Sequence, residues 1–182
     1  MNALPHSLDR MRDRVIDHAV AYFRDEIGLT AGAAILCPGG AERLRFRCVT
    51  AVVGVGERLN LLAAFSFDRS LADSLFEAAT AGLGIAADEE RLMLREATAE
   101  ATNIILGHST ADFAEDGELI TLSVPIVMTG TKDLRLPDGV ALRGAILPTG
   151  CGALDISLVW PRDRLDESLY RRPPIQGQRR AT

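Results

Sequence analysis

The residue pattern predicts an α+β fold: a largely antiparallel sheet packed with an N-terminal helix and two central helices. Three observations carry this expectation. A helix-period pattern opens the chain; two strand-like runs are followed by two helical patterns in succession; three further strand-like runs end the fold. Helices and strands therefore come in blocks, not in the strict alternation of a parallel sheet. The chain of 182 residues, 47% of them hydrophobic, suits one domain with a real core. That domain is placed at residues 1–165, and 166–182 read as a disordered basic tail.

Residues 7–27 put Leu8, Met11, Val15, Ala19, Tyr22 and Ile27 on one helical face, with Ser7 as N-cap and Gly28 as the stop. A Gly/Ala/Pro-rich passage follows, in which "CPGG" marks a turn. "RLRFRCVTAVVGV" and "RLNLLAAFSF" are rich in β-branched, leucine and aromatic residues and flank Gly54, Gly56 and Glu57, the signature of a hairpin. "GVGERL" has Leu59 at the third glycine position of a dinucleotide fingerprint and lacks its strand-to-helix setting, so these glycines belong to a turn. "DRSLADSLFEAATAGLG" reads as a helix opened by Asp68 or Ser70 and closed near Gly82. The next helix starts at Asp88, with Asp88, Glu89 and Glu90 favoured in its first turn by the macrodipole and Gly107 as its C-terminal breaker. "LITLSVPIVMTG", "VALRGAILPT" and "ALDISLVWP" complete the sheet, and Pro125 assigns its run to an edge strand, a bulge or a strand end.

Composition excludes several functions. No apolar run approaches the roughly 18 residues a membrane span needs, and the first residues lack the pattern of a secretory signal; a cytoplasmic protein with no membrane contact is expected. Cys37, Cys48 and Cys151 are far apart and odd in number, which supports neither a disulfide framework nor a zinc site, and they read as buried free thiols. The net charge is −5, but "RRPPIQGQRRAT" at the end holds four Arg, leaving 16 basic against 25 acidic groups elsewhere, or −9. An acidic body lacks the footprint of a nucleic-acid binder.

The helix that spans "LREATAEATNIILG", residues 94–107, has two faces. Met93, Ala97, Ala101, Ile104 and Ile105 share a stripe that should pack on the sheet, while Glu96, Glu100, Asn103 and Gly107 form a second stripe about a quarter turn away. Like charges at i,i+4 destabilise a helix by a few tenths of a kcal/mol. Here the i±3 and i±4 neighbours of both glutamates include no cation. Asn103 is also a poor mid-helix residue. A local sacrifice of this kind marks either a solvated acidic face or a functional site whose charge partner comes from elsewhere. A di-metal carboxylate site would need a His three residues after each Glu; neither has one, and His108 reads as a residue of the helix end.

This helix and the segment after it resemble the CheC/CheX/FliY family of chemotaxis phosphatases. That family's motif is Asp or Ser, three residues, Glu, two residues, Asn, twenty-one residues and Pro. Glu100 and Asn103 occupy the Glu and Asn positions, and twenty-one residues separate Asn103 from Pro125. The Glu-x-x-Asn fragment alone is weak: Glu57 and Asn60 repeat it inside the expected hairpin. Pro125 at the required distance reduces chance matches about twentyfold. The first motif position departs from the family, being Glu96, which retains the charge of Asp with an added methylene; Glu96 is kept as an accessory group without an assigned catalytic role. A single motif copy points to the CheX-like branch.

The resemblance implies a CheX/CheC-like fold and hydrolysis of the aspartyl phosphate on a CheY-type response-regulator receiver domain. Asn103 would orient the attacking water, since a carboxamide offers two donors and an acceptor without a charge for the phosphoryl oxygens to repel. Glu100 would pair with the receiver's lysine beside the phosphorylation site. Mg²⁺ would reside on the receiver, leaving this chain without a cofactor or metal of its own. A homodimer is implied as well. The alternative on the same scaffold is a non-catalytic adaptor that binds a receiver domain or motility component.

Overall fold

The computed structural model describes residues 4–37, 43–56, 60–112, 120–136 and 138–161, with the side chains of residues 4–7 and Pro161 excepted. The turn expected at Pro38–Gly40, Glu57 of the hairpin and the basic tail lie outside these residues.

Helix α1 spans Leu4–Tyr22 and continues as a π-helical turn over Phe23–Ile27. Leu8, Met11, Val15 and Ala19 are buried along it, the face the period indicated. Ser7 is not its cap. The helix already starts at Leu4, and Pro5 lies in the first turn, where a missing N–H is no loss. Gly28 ends the turn at φ 75°, in the left-handed region where a side chain would be strained, and its N–H bonds to the Phe23 carbonyl.

Strands β1 (Ile35–Cys37), β3 (Val49–Val55), β4 (Leu61–Phe67), β5 (Ile126–Thr129), β7 (Val140–Thr149) and β8 (Gly152–Pro161) form a six-stranded sheet in the order β1-β7-β8-β4-β3-β5. Every pairing is antiparallel. Period-two alternation sends Val49, Val53, Phe65, Phe67, Leu154, Ile156 and Leu158 to the face covered by the helices. The hairpin reading is correct: β3 and β4 pair from Val49↔Phe67 to Val55↔Leu61. At its end Gly56 bonds to the Thr121 carbonyl, and a Cβ there would stand 2.6 Å from the Thr121 hydroxyl, so a side chain at this position would force Thr121 to shift. Asn60, of the decoy pair, has φ 41° at the entry to β4 and belongs to no helix.

"RLRFRCVTAVVGV" is not one strand. It breaks into β2 (Arg43–Phe46) and β3, and β2 pairs instead with β6 (Lys132–Arg135), which the sequence reading missed. Electrostatics accounts for the break. The Arg47 guanidinium donates to Asp68 at 2.6 Å, its Nε lies 2.7 Å from Asp155 although out of hydrogen-bond line, and its backbone N–H donates to the Ser66 hydroxyl. Three oxygens from two other segments, the end of β4 and β8, thus hold Arg47 out of the ladder. The β2–β6 ribbon lays Leu44 and Phe46 on the second face of the sheet, against Ala64 and Leu142.

Helix α2 (Arg69–Ala79) follows its expected Asp68 N-cap, although the Asp68 carboxylate bonds Arg47 and the Ala153 N–H and not its own helix. Helix α3 (Glu90–Ala111) packs between α1 and α2 and over β3 and β5. Its first turn holds only Glu90; Asp88 and Glu89 stand in the turn before it. Gly107 does not end α3, which runs on to Ala111 because Ser109 and Thr110 are buried beyond it and tertiary packing outweighs the roughly 1 kcal/mol propensity deficit of glycine. The buried face also carries Thr98 and Thr102, and all four hydroxyls bond the carbonyl four residues back. The three cysteines are free and half-buried, less enclosed than expected.

Candidate functional site

Burial fixes the rotation of α3. Ala97, Ala101 and Ile105 lie against the core, while Met93 and Ile104 are only half-buried. That setting leaves Glu96 and Glu100 exposed and Asn103 half-buried at the border of the core. All three, with Pro125, line one open groove of about 590 Å³. Its walls are α3, the end of α2 with its loop (Ala79, Thr80, Leu83), and the approach to β5 (Val124, Pro125, Val127). The structure therefore brings together the four residues separated in sequence by up to 29 positions. Pro125 stands immediately before β5, which is an edge strand, in agreement with its sequence reading. Gly107 is not part of this groove, and a Cβ there would meet nothing within 4 Å.

The two carboxylates and the carboxamide of the groove are unused internally. Neither Glu96 nor Glu100 makes an ion pair or hydrogen bond with a described residue, and the Asn103 carboxamide is equally without a partner. The amide has two donors and an acceptor, none of them used within the described fold, and the residue lines the groove.

Two neighbours escaped the sequence reading. Arg95 lines the groove, and its Nη2 donates to the Val127 carbonyl at 3.1 Å, bridging α3 to β5. It precedes Asn103 by two steps of four, through Ala99, so the same period reaches it; testing only the neighbours of the glutamates passes it over. Tyr22, at the end of α1, is the second. Burial pushes its phenol up to about 12, and the carboxylates of Glu26 and, more weakly, Glu100 oppose its ionisation further.

A pH prediction follows from Tyr22. Its folded pKa lies above the ordinary value near 10, so its contribution to stability is complete below about pH 10 and is lost as the pH rises through about 12. Urea unfolding between about pH 9 and about 11.5 should show wild type losing stability more steeply than Tyr22→Phe. Equal slopes would mean that the phenol does not feel its surroundings in this way.

A second groove, of about 690 Å³, lies by the β3–β4 hairpin and is lined by residues such as Leu61, Leu62, Val140 and Val159. Among the described residues its lining includes no titratable group, and it is separate from the α3 stripe. Among the described residues, no three His, Cys, Asp or Glu are grouped to hold a metal, and no helix is long and apolar enough to cross a membrane. His108, in the last turn of α3, is exposed and lies 5.7 Å from the ring of His18, which bonds Asp112 at 3.0 Å.

Fold and groove define a class, an α+β domain with an amide-and-carboxylate stripe across from an edge-strand proline. Solved structures of this fold include a candidate chemotaxis protein from Desulfovibrio vulgaris Hildenborough, at TM-score 0.66 and 20% identity over 87% of this chain and 97% of that one. CheX from Desulfovibrio desulfuricans matches at TM-score 0.66 and 16% identity, over 81% and 97%. A CheX–CheY–BeF₃–Mg²⁺ complex from Borrelia burgdorferi matches at 0.59 and 14%, over 82% and 96%. No curated protein matches. The family described as chemotaxis phosphatase CheX matches residues 49–141, just over half of the chain, and the chain belongs to that family.

Proposed function

We propose that this chain hydrolyses the aspartyl phosphate of a CheY-type receiver domain, with Asn103 positioning the attacking water and Glu100 pairing with the receiver's lysine. The observation that carries this reading is the unpartnered, half-buried amide of Asn103, one turn from an unpaired carboxylate in an open groove. Family membership and the fold shared with a CheX bound to CheY support it.

An acyl phosphate is activated already, so catalysis is mainly a matter of placing water in line with the departing carboxylate. The water oxygen forms a bond to phosphorus as the bond from phosphorus to the aspartyl oxygen breaks; the products are the receiver carboxylate and inorganic phosphate, with one proton passing to the phosphate or solvent. An amide holds that water without adding negative charge beside the phosphoryl group. Glu100 and Glu96 keep the groove negative, which suits a cation and repels a free phosphate, so recognition must come through the protein that carries the phosphoryl group. The Mg²⁺ of the reaction is assigned to that partner. A homodimer belongs to the same reading and is checked by sedimentation.

The test is release of inorganic phosphate from a phosphorylated receiver at substoichiometric amounts of this chain. Multiple turnovers are expected. Binding with protection of the phosphate, or with no effect on it, would replace the phosphatase by an adaptor.

A further inference from the structure

The polar groove is framed by apolar side chains that the fold leaves in water. Leu83, in the loop after α2, is 63% exposed; Leu92, near the start of α3, is 53% exposed; Val124, beside Pro125, is 84% exposed. All three line the groove with Glu96, Glu100 and Asn103, one from each of its three walls. Ile126, exposed as well, is not part of the groove lining. Burying these side chains would be favourable, but nothing within the described fold covers them.

We propose that Leu83, Leu92 and Val124 are a docking collar for a folded partner face that presents one cationic side chain within apolar surroundings. The inference rests on the receiver-phosphatase reading and adds the residues that set affinity. Two unpaired carboxylates at the centre ask for a cation. An ion pair left in water contributes little, whereas a rim of otherwise modest contacts that excludes water strengthens the pair it encloses. The collar supplies that rim on all three walls. Its chemistry suits a lysine set among apolar neighbours on a folded surface, and disfavours a flexible, densely basic peptide, which would leave the leucines and the valine against charge. Arg95, tied to the Val127 carbonyl, joins the α3 and β5 walls at this level.

The test uses the full chain and a receiver domain loaded with BeF₃ and Mg²⁺. Leu83→Ser combined with Val124→Ser should raise Kd and KM about tenfold or more, as expected when water enters around the ion pair that the rim encloses. Turnover at saturating receiver should stay at the wild-type value, and thermal unfolding should be unchanged, because both side chains are exposed. The salt dependence separates a collar from a general loss of contact. Between 0.05 and 0.5 M NaCl, or about 14 to about 4 Å of screening length, the variant's affinity should fall more steeply than wild type's. Weaker binding with steeper salt dependence supports the collar, even if wild type proves to bind without hydrolysing, which would overturn only the phosphatase reading. Unchanged affinity, or weaker binding with the wild-type salt slope, overturns the collar while leaving hydrolysis untouched. Wild type that binds no receiver overturns both.

Discussion

Asn103→Ala should lower turnover of the phosphorylated receiver by on the order of a hundredfold or more, the scale associated with losing a group that positions a proton-transferring reactant. Affinity for the BeF₃-loaded receiver should change by less than about threefold, since the amide contributes one uncharged contact among many. The residue is half-buried and without an internal partner, so removing it leaves no orphaned group and creates little cavity, and a loss of stability cannot account for a loss of rate. Single-turnover phosphate release, read beside isothermal titration of the same variant, checks both halves. Full activity in Asn103→Ala would remove this residue from the mechanism.

Glu100→Lys should act on the opposite term. A charge-assisted contact with a lysine contributes on the order of 1.5–3 kcal/mol when desolvated. Reversing the charge removes that contact and adds repulsion, so Kd should rise by at least about a hundredfold. At receiver concentrations high enough to saturate the variant, much of the turnover should return, because Asn103 is intact. Glu100 is exposed and makes no ion pair within the described fold, so thermal unfolding of the variant should stay close to wild type. A charge-swapped receiver with Glu in place of its lysine should recover affinity for Glu100→Lys. Failure of that rescue, with binding unchanged in the single variant, would place the cation elsewhere.

The helix that carries these two residues was readable because its two stripes obey one period: burial of Ala97, Ala101 and Ile105 fixes the rotation that exposes Glu96 and Glu100. Pro125 joined them through a distance along the chain characteristic of the family, which no local pattern could supply. The antiparallel sheet was legible for the same local reason, and β7 matches the expected run at residues 140–149. What escaped depends on contacts between distant segments. The break after Phe46 is made by Asp68, Asp155 and Ser66, and β6 exists as a strand because β2 pairs with it, its four residues being exposed throughout. Gly107 misled because propensity is local while the burial of Ser109 and Thr110 is not. Leu83 follows the expected helix end, and Val124 lies in a run read as strand that becomes a strand only from Ile126, so neither exposure had a signature in sequence.

The four hydroxyls on the hidden side of α3 have a wider consequence. Thr98, Thr102, Ser109 and Thr110 each satisfy themselves on a carbonyl of their own helix, so none of these buried polar groups needs a complementary atom on α1 or α2. Along that buried stretch the helix meets its neighbours through shape alone, and shape can be re-matched by one compensating substitution at a time. A chain built in this way can exchange most of its flanking residues over evolutionary time while the orientation of its outward stripe persists, which offers a physical route to a common architecture among proteins that share only about a fifth of their residues or fewer.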